Sequence, residues 1–274
     1  MAKPLVSDGL WARIEPELPV IKRRARYPGR KRIADRQVLA GILFVLKTGI
    51  PWEDLPQEMG CGSGMTCWRR LAEWNDAGVW QRLHHVLLDE LDDLGQIDWS
   101  RAVVDSSHVR AKGGGEQTGP SPVDRSRKGS KHHLICCGNG LPLAATLTAA
   151  NRNDITQLIE LVDRVPPIGA HNRFRPKALL ADRAYDSARH ARELRARRIT
   201  PRIAKRGSAQ QPTEHGSGLG TERWVVERTI SWLHNHRRLA RRYDRRADIH
   251  EAFLTIGCAL ICHQQLTRHQ QSFC

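Results

Sequence analysis

The 274-residue sequence predicts an α/β fold built on a mixed sheet and preceded by an all-helical segment. Three observations carry that expectation. Up to residue 98, apolar residues recur at helical spacing. From residue 99, short wholly apolar runs alternate with helical segments, the pattern of an α/β unit. Within that second part, Gly138-Asn139-Gly140 joins two apolar runs, and an Asn-Gly pair is a strong hairpin-turn signal.

The elements follow in order. Residues 8–18 predict a short helix through Leu10, Trp11 and Ile14. A basic connector follows, with Lys22, Arg23, Arg24, Arg26, Arg30, Lys31 and Arg32, broken by Pro28 and Gly29; it reads equally as a phosphate contact or a solvated loop. Asp35 is the expected N-cap of a helix whose Val38, Leu39, Ile42, Leu43, Val45 and Leu46 keep helical spacing, with Gly49 and Pro51 as its stop. Ser63 caps a helix with Cys67, Leu71 and Trp74 on one face, leaving Thr66, Arg69 and Arg70 elsewhere. Helix, Gly-rich turn and a polar-basic helix form a helix-turn-helix-like pattern, so Thr66, Arg69 and Arg70 are candidate DNA contacts. The amphipathic helix 79–94 closes an all-helical N-terminal domain spanning residues 1–98.

Residues 102–104 predict a short buried strand ending on Asp105. A Gly-, Pro- and Arg-rich loop follows over 112–131, and then a hairpin to residue 149. Asp154 is the expected cap of the next helix. Residues 178–181 form a second buried strand ending on Asp182, and Asp186-Ser187 cap a basic helix, Asp186 reading as a cap rather than a ligand. Residues 199–204 give a further strand, 205–221 a polar Gly-rich loop, 222–242 a long helix and 249–266 a last one. Strand, hairpin, helix, strand, helix, strand, helix over residues 99–274 is the element order of an RNase H-like domain.

The net charge is +15, which points to a polyanionic partner rather than to any fold. The charge is uneven. Residues 1–100 hold 14 basic and 14 acidic side chains, whereas residues 101–274 hold 30 and 15. No apolar run is long enough to span a bilayer, and the N-terminus lacks the apolar core of a signal peptide, so no membrane partner and a cytoplasmic location are expected. Seven cysteines without framework spacing predict reduced thiols rather than disulfides or structural zinc.

The chemistry lies in three acids. Phosphodiester cleavage needs an activated nucleophile and neutralised charge on the leaving oxygen, which paired divalent cations supply. Mg²⁺ prefers carboxylate oxygens. Asp105 and Asp182, each at the end of a buried strand, and Glu227, beside the core face of the helix bearing Val226, Ile230 and Leu233, are the candidate metal-binding and catalytic residues. Arg223, Arg228, Arg237, Arg238 and Arg241, with Lys128 and Lys131 of the basic loop, are candidate phosphate contacts.

At these residues the chain resembles the bacterial insertion-sequence transposases of the DDE class, in the group around insertion-sequence family five. The likeness is carried by VVDSSH at 103–108, TGPSPVDR at 118–125 with GSKHHL at 129–134, LLADRAYD at 179–186, and RWVVERTISWL at 223–233 with RRL at 237–239. TGIPWEDLP at 48–56 is similar to that group's helical front. The resemblance implies an RNase H-like catalytic domain, a triad of Asp105, Asp182 and Glu227, Mg²⁺ with Mn²⁺ as substitute, and double-stranded DNA partners, namely terminal inverted repeats and target, held by a homodimer or larger assembly. Related proteins often carry Y-x2-R-x3-E-x6-K around the glutamate. Arg223 matches that arginine, while Gly220 and His234 stand at the Tyr and Lys positions. A nuclease of the same fold, which cuts without joining, and a DNA-binding protein without turnover are the competing expectations.

Overall fold

A computed structural model of the chain describes residues 4–22, 25–26, 29–169, 176–205 and 220–272. Arg23, Arg24 and most of the 205–221 loop lie outside the described residues.

The front is four helices, α1 (Asp8–Ile14), α2 (Asp35–Thr48), α3 (Gly64–Asp76) and α4 (Val79–Asp93). Ser63 caps α3 by accepting the Thr66 N–H at 3.3 Å. Asp35 does not cap α2. Ala34 holds that position, and the Asp35 carboxylate is taken by Arg70 of α3. Two 3-10 turns join α2 to α3, and they require glycine at residue 64: a Cβ there would stand 1.7 Å from the Trp52 carbonyl oxygen. Trp80, Leu83, Leu87 and Leu91 of α4 are buried as their spacing predicts, whereas Leu94 falls past the helix end and is exposed.

The second part holds β1 (Ala102–Ala111), β2 (Gly119–Pro120), β3 (Lys128–Cys137), β4 (Pro142–Ala149), α5 (Leu158–Arg164), β5 (Ala178–Ala181), α6 (Ala188–Ala196), β6 (Thr200–Ile203), α7 (Gly220–His234), α8 (Arg237–Ala240), β7 (Arg241–Arg242) and α9 (Ala247–Gln271). The sheet runs β2-β3-β1-β5-β6, with β4 also on β3 and β7 also on β1. β1 is antiparallel to β3, and β3 to β4, through the predicted turn. β5 is parallel to β1, and β6 to β5. It is an RNase H-like mixed sheet.

Three expectations change. β1 is ten residues long, so Asp105 lies within a strand rather than at its end; β3 pairs with it from Ala102↔Cys137 to Arg110↔Gly129 and satisfies the backbone of its polar half. Residues 119–120 and 128–131 of the 112–131 loop are strand, as β2 and the start of β3. The helix expected over 222–242 stops at His234, because the chain must turn to lay β7 beside Arg110 and Ala111.

α9 joins the two parts. It packs on α4 and on β4, burying Ile249, Phe253, Ile256, Ile261 and Leu266. Phe253 stacks on Trp52 at 5.9 Å. Each such side chain contributes about 1.5–3 kcal/mol by leaving water, and one buried cluster runs from Val6 to Leu266. The six described cysteines are free and buried. No helix among the described residues is long and apolar enough to cross a membrane.

Candidate active site

The site begins where the sheet splits. β5 pairs with β1 at Ala102↔Leu179 and Val103↔Leu180, then ends at Ala181, whereas β7 meets β1 only at Arg110 and Ala111. The edge of β1 between them carries no ladder partner among the described residues, and Asp105 stands at its start. Asp105 lies two residues beyond the last pair on β1, and Asp182, just past the end of β5, lies two residues beyond it on the other side. Asp182 caps the 3-10 turn Arg183–Tyr185, its Oδ1 accepting the Ala184 N–H at 2.8 Å. Asp105 Oδ1 accepts the Ser106 N–H at 2.8 Å.

Alternation along β1 sorts its side chains between two faces. Asp105 and Ser107 turn towards α7. Arg223 Nη2 donates to Asp105 Oδ2 at 3.3 Å, and His234 Nε2 lies 3.4 Å from Ser107 Oγ. α7 is pinned further by the β3–β4 turn. Thr229 Oγ donates to the Gly140 carbonyl and Arg228 Nη2 to the Asn139 carbonyl, both at 2.6 Å. Val226 and Leu233 are buried beneath the helix, and Glu227 is exposed on it, one turn after Arg223.

Asp105 feels the charge of the other two acids. Burial pushes the Asp105 carboxyl up; the Ser106 N–H and Arg223 oppose that shift, while Asp182 and Glu227 reinforce it. Carboxylate oxygens are the hard donors that a divalent cation takes. As the chain stands, no three acidic, imidazole or thiol groups among the described residues close on a common point. The Arg223 guanidinium supplies positive charge at Asp105 instead.

The remaining expected contacts divide by burial. Arg69, Lys128, Arg237 and Arg241 are exposed and Thr66 is half-buried. Arg110 and Lys112, which sequence reasoning did not single out, line a small cavity with Arg241. Three of the expected DNA contacts are instead buried and committed. Arg70 pairs with Asp35 and lies over Trp74. Lys131 donates to Asp154 Oδ1 and to the Arg152 carbonyl, both at 2.8 Å, because strand alternation points it inward. Arg238 pairs with Asp244 at 2.7 and 3.1 Å, because the break after His234 rotates it off the α7 surface. Arg228 is half-buried, its guanidinium between two indoles.

Sequence reasoning also passed over the polar groups beneath the site. Asp154 is not a cap, which Asn153 supplies; it accepts from Ser106 Oγ at 3.0 Å and from Lys131. Tyr185 is buried beside Asp154, Asp105 and Asp182, and burial foremost pushes its hydroxyl pKa up. On the α7 face, His132 Nε2 and His250 Nε2 are 2.8 Å apart, and burial holds both rings below the ordinary histidine range. The Lys131-His132-His133 run in a strand was the available signal, since alternation must bury at least one of its members.

The sheet order and the helix laid across β1 define an RNase H-like domain. Residues 100–262 match the transposase DDE domain model, and residues 6–84 match that of a putative transposase of the IS4/5 family. The chain belongs to the DDE transposase family. It is similar to a putative transposase for insertion sequence element IS402 from Burkholderia cepacia, 55% identical over 175 residues that make up 63% of this chain and 79% of that protein. A 16.2 kDa protein of the same element, also from Burkholderia cepacia, is 59% identical over 44% of this chain and 84% of its own length. Among solved structures, the piggyBac transposase synaptic complex with hairpin DNA shares the fold at a TM-score of 0.53, with 12% identity over 94% of this chain and 70% of that one. The chain is thus a DNA transposase, an enzyme of DNA cleavage and strand transfer, and metal-dependent catalysis by the DDE domain is the general mechanism of its family.

Proposed function

We propose that Asp105, Asp182 and Glu227 are the metal-binding, catalytic carboxylates of this transposase. Mg²⁺, with Mn²⁺ as substitute, would be held by these three residues and would supply an activated hydroxyl and charge neutralisation at the leaving oxygen. The observation that carries the reading is the parallel register of β1 and β5, with α7 tied onto it through Arg223 and Asp105. The β1 backbone, the turn after β5 and the pinned helix α7 hold the three acids on one side of the sheet, and a cation bound between Asp105, Asp182 and Glu227 would draw their carboxylates together. Arg223, freed from Asp105 when a cation takes its place, is positioned to hold a phosphate oxygen beside Glu227.

The helical front, residues 1–98, is read as the part that recognises the element's terminal inverted repeats through Thr66 and Arg69. Residues 99–274 are read as the part that cuts those ends and joins them to target DNA. Lys128, Arg237 and Arg241, joined by Arg110 and Lys112, supply backbone contacts. Holding two ends calls for a homodimer or larger assembly on DNA, and its setting is the cytoplasm.

The test is cleavage and strand transfer by purified protein on DNA carrying the element's ends. Asp105→Asn, Asp182→Asn and Glu227→Gln should each lower the rate by at least about 10²-fold while DNA affinity holds. Full strand transfer by any one of them overturns the reading of that residue.

A further inference from the structure

β7 creates a repulsion that no acid relieves. Its two residues lie parallel to the end of β1, and the register sets Arg241 beside Arg110. Paired residues on neighbouring strands stand about 4.8 Å apart and project from the same face, where like charges are destabilising. Lys112 joins them, and the three cations line one cavity of about 70 Å³, well under the volume of a small-molecule pocket. All three are exposed, and among the described residues no carboxylate pairs with any of them. The acids on the flanking turns are engaged elsewhere, Asp244 with Arg238 and Glu116 with the Ala247 N–H at 3.1 Å.

The arrangement is nevertheless held fast. Arg242, fully buried, donates to Ser130 Oγ at 2.7 Å and to the Gln117 and Asp244 carbonyls at 3.1 and 2.8 Å, which fixes β7 against the sheet. The Lys112 N–H donates to the Arg242 carbonyl at 3.0 Å. Gly115 then passes so close to Arg245 that a Cβ would stand 2.2 Å from its carbonyl oxygen. Three like charges fixed around one small cavity suit a phosphate group, and in a DNA enzyme the backbone supplies it. Among the described residues β1 has no ladder partner between β5 and β7, so a DNA strand has an open edge to follow from Asp105 to the cavity. Asp105 and Arg110 are separated by about 17 Å at about 3.3 Å per strand residue, or about five steps of B-form DNA at about 3.4 Å per step.

We infer that Arg110, Lys112 and Arg241 seat one backbone phosphate about five nucleotides from the scissile one, and so set the register of the DNA in the active site. The inference deepens the reading of these residues as backbone contacts and takes Asp105 as the mark of the cut. Full-length protein in EDTA is titrated with duplexes of the element's end, each carrying a single neutral methylphosphonate in place of one phosphate. Wild type should lose at least about 10-fold in affinity at one phosphate, about four to six nucleotides from the cut mapped in Mg²⁺. Arg110→Gln with Arg241→Gln should bind the unmodified duplex about 10-fold more weakly, lose nothing further at that phosphate, and keep its sensitivity at the others. Lys112→Gln alone should shrink the loss at the same phosphate. Without DNA the double variant should unfold no lower than wild type, since the like charges are gone. A loss spread evenly over the phosphates, a sensitive phosphate outside that window, a double variant still sensitive there, or one that unfolds below wild type overturns the inference. So does binding of inorganic phosphate to the cavity with no position-specific loss on DNA, the mark of a site for a free anion. Should Asp105→Asn still cut DNA in Mg²⁺, the catalytic reading falls, while the cancelled loss at one phosphate stands alone.

Discussion

Asp244 offers a test of how the turn after α7 is braced. It is 7% exposed, bridges Arg238 at 2.7 and 3.1 Å, and lies 3.7 Å from His250 Nδ1. Burial alone would raise its carboxyl, but His250 and Arg238 outweigh burial and hold it near 2 against an ordinary 3.8. That depression corresponds to about 2–3 kcal/mol in favour of the charged form. Unpairing a buried charge by deleting its partner costs about 3–5 kcal/mol. Asp244→Asn should therefore lower stability by about 3–5 kcal/mol, or Tm by about 6–20 °C for a chain of this size, read by calorimetry or urea denaturation. Replacing both partners, as Arg238→Met with Asp244→Leu, should recover much of the loss, since no lone charge remains. The sign with pH is fixed. A carboxyl depressed in the fold contributes its full stability above its unfolded value of 3.8 and loses it as pH falls towards about 2. The gap between wild type and Asp244→Asn should thus be flat above about pH 4 and narrow below it. A loss under about 1 kcal/mol, or a gap independent of acid, refutes the buried-pair argument.

Three further outcomes follow. Asp105 has the opposite sign. Its carboxyl is raised in the fold, so its charge opposes folding at neutral pH and not below its ordinary 3.8; Asp105→Asn should raise the Tm of metal-free protein at pH 7, with the gain vanishing in acid, as it ends catalysis. Arg237→Gln with Arg241→Gln should reduce the salt dependence of duplex binding by about two counterions at unchanged stability. Lys131→Met, whose cation is buried on Asp154, should lower stability and leave the salt slope alone.

What the sequence disclosed and what it withheld separate by range. Helical spacing and local caps predicted α3 and α4 closely, because Ser63 and the run from Trp80 to Leu91 act within a few residues. The turn at Asn139 and the strand 178–181 were equally local. Asp105 was misplaced at a strand end because the extension of β1 depends on β3, which lies across a long loop. Asp154 read as a cap, since its true partners, Ser106 and Lys131, are 48 and 23 residues away. Charge identified Arg70, Lys131 and Arg238 as candidates, but burial decides whether a cation faces solvent or a carboxylate, and burial is a property of the assembled layers. The alignment of Asp105 with Asp182 came from strand pairing; their types were legible in the sequence and their register was not.

The Gly138-Asn139-Gly140 turn has a practical consequence. Hairpin tips are usually the safest places to insert a tag or an extra residue. Here the tip carries the Asn139 and Gly140 carbonyls that receive Arg228 and Thr229, and a Cβ at residue 138 would stand 2.0 Å from Asp98 Oδ2. The tip therefore works as a hinge pin for α7. One added residue would move those carbonyls by about 3.3 Å, a distance that unseats the helix bearing Glu227 while leaving every carboxylate in the chain intact.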